Sequence, residues 1–281
     1  MPRGVLKTML CPTCRKLISR DETRCPYCCT SKPGSWTHDN PVARLLNDPD
    51  RFIRGIITVN VGMFALSILF SFQGINLSMN PLKFLSPDGR VLLVLGATGV
   101  VPIDTMHRWW TLLSANYLHG GVLHILFNMM ALRQISGLII REYGLQRMFS
   151  IYTIGGVMGF WISYLAQTQF TIGSSAALCS LIGAALYYGK TRGGVYGQAI
   201  YRQVGGWVLI LFLFGFVFPG IDNWGHGGGI AAGILLGFLF GYQERKKETR
   251  LHKILARLCI LATGGVLFWA IGSSVYYLMF S

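Results

Sequence analysis

Two adjacent serines behind a glycine, Ser174 and Ser175, open the apolar segment GSSAALCSLIG. Polar side chains are costly inside a membrane and therefore often mark a functional site. A serine becomes a nucleophile when a neutral imidazole takes its proton, and His226, in DNWGHGGG, is the candidate general base. We expect Ser175 to be the nucleophile. Ser174 remains an alternative, although it lies about 100° away around a helix.

Two further polar residues could stabilise the oxyanion that forms when a serine attacks a carbonyl. In the stretch HGGVLHILFN, His124 and Asn128 are four residues apart and share one helix face, and His119 precedes them. Imidazole and carboxamide groups donate hydrogen bonds to an oxyanion, as does the backbone N–H of a serine at a helix start. The sequence therefore predicts His124 and Asn128 as oxyanion donors.

The composition indicates a membrane protein. The chain has 281 residues, of which 52% are hydrophobic and 13% are charged, whereas soluble domains have roughly 25% charged residues. Seven apolar segments are candidate spans: roughly 53–72, 121–140, 149–168, 173–189, 204–220, 225–243 and 255–279. We expect an all-α polytopic protein in a lipid bilayer. In a membrane protein, a net charge of +14 is typical of basic cytoplasmic loops. The sequence has no basic stripe interleaved with aromatic residues, so we expect no nucleic-acid partner.

The distribution of lysine and arginine predicts the orientation. They cluster in alternate loops, most densely between Arg245 and Arg257, which places the N-terminus in the cytoplasm and the C-terminus outside. Spans two, four and six then all run inward, so their first turns share the outer leaflet. The candidate site residues lie in those turns and can converge near the outer face. The expected location is the plasma (inner) membrane.

Glycines recur every four residues along the sixth span, at Gly229, Gly233, Gly237 and Gly241. Such a stripe lets another helix approach closely, and the Ala/Ser-rich fourth span is the natural partner.

Asp222, four residues before His226, could orient that histidine or cap the preceding loop. In the long connection between the first two spans, the run 91–95 could form a short strand.

Four cysteines near the N-terminus have the spacing of a metal site. Two C-P-x-C knuckles supply Cys11, Cys14, Cys25 and Cys28, and four thiolates can bind Zn²⁺ tetrahedrally. Two disulfides are the alternative, which a reducing cytosol disfavours. We expect a zinc-ribbon-like cytoplasmic segment over 1–32, in which zinc is structural because the core is small, and a linker over 33–52.

The motifs HRWWTLLSANYLHGGVLHILFNMMAL, GSSAALCSLIGA and DNWGHGGGIAAGILLG resemble, in order, those of the rhomboid family of intramembrane serine proteases. The resemblance implies a six-helix core over 53–243, followed by a basic loop and a seventh helix in 244–281. It also implies a Ser175–His226 dyad that cleaves single-pass membrane proteins near the outer face. No small-molecule cofactor is implied for catalysis.

Some residues depart from the family pattern. Ala176, Cys179 and Thr111 stand where the family usually has glycine, an aromatic residue and arginine. These departures motivate a second hypothesis, a catalytically inactive rhomboid-like protein that binds membrane segments. A transporter is disfavoured because the spans contain no clear acidic residue and no internal repeat.

Overall fold

The computed structural model describes residues 8–12, 14, 16–35, 48–71, 76–77, 84–218 and 220–280. The chain divides into two compact units, Met1–Ile56 and Ile57–Ser281. In the first unit, strand β1 (Thr8–Leu10) pairs antiparallel with strand β2 (Leu17–Ser19). Its small core consists of Cys11, Ile18 and Cys25, so this segment buries little apolar surface.

From Pro49 onward the described chain is mostly helical. Its helices are α1 (Pro49–Phe70), α2 (Gly89–Val94), α3 (Thr111–Ser114), α4 (Val122–Tyr143), α5 (Leu145–Leu165), α6 (Ser175–Arg192), α7 (Gly194–Val217), α8 (Asn223–Phe240) and α9 (Arg250–Phe280). A short antiparallel pair, β3 (Asn76–Leu77) and β4 (Phe84–Ser86), precedes α2.

Five of these helices are long and apolar enough to cross a membrane by length and composition: α1, α4, α5, α7 and α9, the last over Arg250–Tyr277. The expected all-α polytopic membrane protein is confirmed. The fourth and sixth predicted spans correspond to α6 and α8, which have 18 residues each. Neither helix is among the five, so seven membrane crossings remain a prediction.

Two helices begin where the sequence pattern alone did not place them. Helix α1 starts at Pro49, inside the predicted 33–52 linker, because Asp48 Oδ1 accepts hydrogen bonds from the first-turn N–H groups of Asp50 and Arg51. The strand considered for 91–95 is wrong, because α2 occupies most of that run. Asp88 caps this helix by accepting from Arg90 N at 2.6 Å. Most of the linker, 36–47, lies outside the described residues.

Helices α5, α6 and α8 pack at backbone distance. A Cβ atom at Gly233 of α8 would lie 1.8 Å from Ser180 O of α6, and one at Gly183 of α6 would lie 2.1 Å from Ile230 O of α8. On α5, a Cβ atom at Gly155 would lie 2.2 Å from Ser180 Cβ. The predicted partnership between the glycine stripe and the fourth span is confirmed. Helix α9 packs against α5, α3 and α2.

Candidate active site

Ser175 is the first residue of α6, and the preceding loop is tied down by backbone pairing. Gly173 donates to Ala115 O at 2.9 Å, and Thr98 and Thr171 exchange hydrogen bonds of 3.1 and 2.7 Å. The first helical bond of α6 runs from Leu178 N to Ser174 O. The N–H groups of the first turn are therefore left free of helical partners, at the positive end of the helix dipole.

His124 and Ser175 converge on the space beside Gly173. A Cβ atom at Gly173 would lie 2.7 Å from His124 Nε2 and 3.5 Å from Ser175 Oγ. Gly173 also has a φ of +125°, a region that favours glycine. Glycine at 173 therefore leaves open the space that both polar atoms border.

The tautomer of His124 follows from a backbone contact. Gly120 N donates to His124 Nδ1 at 3.3 Å. Because Nδ1 accepts, the proton of the neutral ring is on Nε2. That N–H is the one beside Gly173, so His124 presents a donor to the space next to Ser175.

His226 lies in the first turn of α8, and Asp222 caps that turn. The Asp222 carboxylate accepts from Gly225 N at 2.8 Å and from Ser163 Oγ of α5 at 2.5 Å. Of the two roles considered for Asp222, the structure shows capping. His226 is 5% exposed and its Nδ1 is buried without a hydrogen-bond partner. No hydrogen bond joins His226 to Ser175 in this conformation.

The first turns of α6 and α8 nevertheless abut. A Cβ atom at Gly229, one turn after His226, would lie 2.3 Å from Ala176 O and 3.0 Å from Cys179 Cβ. The methyl group of Ala176 is accommodated by a glycine of α5, because a Cβ atom at Gly159 would lie only 3.1 Å from Ala176 Cβ. Among the described aromatic residues, none stacks on His226, consistent with a cysteine at 179.

Asn128 follows His124 by one turn of α4. It is 7% exposed, and its carboxamide makes no hydrogen bond with the part of the chain that the structure describes. Its donors are therefore not used elsewhere in that part of the chain. The sequence pattern placed His124 and Asn128 on one helix face, and both belong to α4.

Ser174 has a different environment from Ser175. It is fully buried, and its Oγ lies 3.3 Å from His119 Nε2. The His119 ring packs edge-on against the His124 ring at 5.1 Å between centroids. Burial lowers the pKa of His119 well below its ordinary value, which keeps this ring neutral at neutral pH. The sequence did not indicate that Ser174 would pair with His119.

Thr111, where the family usually has arginine, is also buried. Its Oγ lies 2.6 Å from Arg108 O and 3.1 Å from Thr98 Oγ1. Thr98 in turn pairs with Thr171 in the loop before α6. Sequence reasoning missed the contributions of Thr98, Thr171 and Ser163, because each acts through a partner distant in the sequence.

The four knuckle cysteines form a cluster that can hold a metal ion. Their Sγ atoms all lie within 4.8 Å of one another, with separations of 3.6 Å for Cys11–Cys28 and 3.7 Å for Cys14–Cys25. A Zn–S bond of about 2.3 Å places tetrahedral sulfurs about 3.8 Å apart, so the donor set fits zinc. All four cysteines are free rather than disulfide-linked, and Cys29 is exposed outside the cluster.

The comparisons with known proteins agree with this architecture. The rhomboid domain family matches residues 106–243. Over 172 residues, 60% of this chain and 43% of the relative, the chain is 36% identical to RHOMBOID-like protein 4 of Arabidopsis thaliana. Over 196 residues, 64% of this chain and 62% of the relative, it is 35% identical to RHOMBOID-like protein 5 of the same plant.

A bacterial relative is the Rhomboid protease GluP of Bacillus subtilis (strain 168), 32% identical over 134 residues, which are 48% of this chain and 26% of the relative. Other relatives carry the words mitochondrial or chloroplastic in their names. The chain thus spans less than two thirds of the length of these relatives. Together with the helical bundle, the matches identify residues 106–243 as a domain of the rhomboid family.

Proposed function

We propose that this protein is an intramembrane serine endopeptidase. The rhomboid family includes such proteases, and one relative bears the name Rhomboid protease. The observation that carries the proposal is the shared space beside Gly173, bordered by Ser175 Oγ and His124 Nε2. A nucleophile, an oxyanion donor and the free N–H groups of a helix start meet there, and the first turn of α8 adds a histidine.

In the proposed reaction Ser175 Oγ attacks a peptide carbonyl while His226 takes the hydroxyl proton. The imidazolium of His226 then gives that proton to the departing amine, which leaves an acyl-enzyme on Ser175. Water, deprotonated by His226, attacks the ester. The His226 imidazolium then returns that proton to Ser175 Oγ as the acyl group leaves as a carboxylic acid, which ionises. The separate positions of Ser175 and His226 in this conformation require the two side chains to approach when substrate binds, since catalytic hydrogen bonds often tighten only then.

The oxyanion of each tetrahedral intermediate is proposed to accept from His124 Nε2–H, the Asn128 carboxamide and Ser175 N–H. Two of these donors are fixed before the reaction: Gly120 sets the His124 tautomer, and helix geometry leaves Ser175 N–H free. Pre-positioned donors in a site shielded from water stabilise developing charge strongly.

The substrates are proposed to be single-pass membrane proteins cut near the outer face of the plasma (inner) membrane. The N-terminus would lie in the cytoplasm and the C-terminus outside. We further propose a rhomboid protease core over 53–243, with the basic loop and last helix in 244–281. The basic residues of the chain support this orientation through the positive-inside rule.

We propose that residues 1–32 bind a structural Zn²⁺ through Cys11, Cys14, Cys25 and Cys28. When bound, zinc supplies a four-way cross-link between the two knuckles. Such a link is needed because the core of this unit, Cys11, Ile18 and Cys25, is small. This metal has no step in the proposed hydrolysis.

Labelling with a serine-reactive fluorophosphonate tests the protease proposal in proteoliposomes. The unaltered protein and Ser174→Ala should be labelled, and Ser175→Ala should not. Cleavage of a panel of single-pass membrane segments should follow the same pattern. Binding of those segments without labelling or cleavage would instead support the alternative, an inactive rhomboid-like protein. Two observations favour that alternative: Ser175 and His226 share no hydrogen bond, and residue 179 is a cysteine.

A further inference from the structure

The end of α6 farthest from Ser175 borders a pocket that the proposed reaction does not use. It has a volume of about 250 Å³. Its lining residues are Gly189, Lys190, Gly193, Gln198, Tyr201 and Arg202. With a rise of 1.5 Å per residue, this end of α6 lies roughly 25 Å from Ser175 along the helix. In the predicted topology, the pocket lies at the membrane interface opposite the candidate active site.

The pocket carries two positive charges without a counter-charge. Neither Lys190 nor Arg202 forms an ion pair within the described residues, and the lining includes no carboxylate. The neighbouring Arg192 differs, because it pairs with Glu244 at 3.3 Å. A second nearby carboxylate, Glu142, accepts a hydrogen bond from the Tyr196 hydroxyl at 2.8 Å. Both acidic groups therefore have partners outside the pocket.

Backbone contacts fix the walls of the pocket. A Cβ atom at Gly189 of α6 would lie 2.8 Å from Gly197 O of α7, so the two helices touch there. The Lys190 ammonium lies 5.7 Å from the centre of the Tyr201 ring, close enough for a cation–π interaction. The two cations are consequently presented from helices whose relative position is set by glycine contacts.

The polar groups around the two cations suit a bound anion with several oxygen atoms, such as a phosphate group. Gln198 and Arg202 are four residues apart on α7 and share one face. A Cβ atom at Gly193, which precedes α7, would meet nothing within 4 Å, so the space beside the N-terminus of α7 is open. The helix dipole adds positive potential at that point.

We propose that this pocket binds the phosphate group of an anionic lipid headgroup. Its depth along α6 corresponds to the membrane interface, and basic pockets between helices at that level suit phosphate-bearing headgroups. Arg202 can donate two parallel hydrogen bonds to phosphate oxygens, and Lys190 adds a point charge. Free inorganic phosphate shares this chemistry and is separated from lipid by the test below. The inference does not depend on the protease proposal.

Lipid titration of the purified full chain, followed by native mass spectrometry, tests the site with phosphatidylglycerol and phosphatidylcholine as probes. The double variant Lys190→Gln/Arg202→Gln removes both pocket cations. The matched control, Lys247→Gln/Arg250→Gln, removes two exposed cations at the same end of the bundle but outside the pocket. Each cation near a phosphate group should contribute about fivefold in affinity. We therefore expect the Kd for phosphatidylglycerol to rise about 25-fold in the pocket variant and less than about twofold in the control.

The charge-conserving variant Lys190→Arg/Arg202→Lys should retain preferential binding of phosphatidylglycerol, which separates loss of charge from loss of fold. Equal affinity for the two lipids, or equal weakening in the control variant, would overturn the proposal. An arm with inorganic phosphate at the same concentration as the lipid identifies the source of the ligand. Failure of inorganic phosphate to displace the lipid supports the lipid assignment, whereas displacement at equal concentration overturns it.

Discussion

The Nε2 atom of His124 lies 2.7 Å from the position that a Cβ atom at Gly173 would occupy. This contact joins α4 to the loop that precedes Ser175, across about 50 residues of sequence. It makes Gly173 a structural requirement of the candidate oxyanion site, since a Cβ atom there would force the His124 ring or the backbone at 173 to move.

Gly173→Ala should therefore lower kcat/KM by about 100-fold, the effect typical of losing one oxyanion donor. Gly241→Ala is the matched control, because Gly241 also has a positive φ (+67°) but a Cβ atom there would meet only Lys246 Cβ at 3.7 Å. Both variants should lose some thermal stability from backbone strain. Cleavage of a reporter segment, measured for both in the same vesicles, checks the prediction. Equal cleavage activity in Gly173→Ala and Gly241→Ala would show that the close approach of His124 to Gly173 has no effect on catalysis.

Asn128→Ala should reduce kcat by about 100-fold with little change in KM, because the carboxamide is proposed to act only on the tetrahedral intermediate. Its Tm should shift little, since the side chain makes no hydrogen bond with the described residues. Steady-state cleavage kinetics together with thermal unfolding separate the two effects. An unchanged kcat would remove Asn128 from the oxyanion site.

His226→Ala should abolish cleavage, with a loss of at least about 10³-fold, because no other described base lies in the first turn of α8. His252→Ala is the control, since His252 is a buried histidine in α9 whose Nδ1 lies 3.2 Å from Thr249 Oγ1. That variant should retain cleavage. Residual cleavage above about 0.1% in His226→Ala would show that another group takes the Ser175 proton.

Ser163→Ala removes the 2.5 Å hydrogen bond to the Asp222 carboxylate. A hydrogen bond to a charged group contributes about 1.5–3 kcal/mol, so Tm should fall by several degrees and kcat should fall less than tenfold. In the control Ser273→Ala, the lost bond is a local one to Ala270 O within α9, and the Tm should change less. If the two variants unfold at the same temperature, the Ser163–Asp222 contact does not stabilise the join between α5 and α8.

Cys25→Ser, or treatment with a chelator, should remove the bound zinc and unfold residues 1–32, while cleavage by the membrane domain persists. Metal content by atomic spectroscopy and proteolysis of the N-terminal segment measure the two effects. Cys29→Ser is the control and should keep its zinc, because Cys29 lies outside the cluster. Unchanged zinc content in Cys25→Ser would refute the zinc assignment.

The sequence by itself determined the features that depend on local spacing. Apolar runs predicted the helices, the four-residue interval placed His124 and Asn128 on one face, and the paired knuckles predicted the cysteine cluster. The glycine stripe of the sixth span predicted its contact with the fourth. Each of these follows from the periodicity of a helix or the geometry of a tight turn, which neighbouring residues fix.

Only the tertiary structure decided features that join distant residues. The His124 tautomer depends on Gly120, the pairing of Ser174 with His119 spans 55 residues, and the Asp222 cap is completed by Ser163, 59 residues earlier. Helix α2 replaced the strand considered there because Asp88 caps its first turn. Hydrogen-bond partners that are brought together by packing leave no periodic trace in the sequence, so the folded chain is needed to find them.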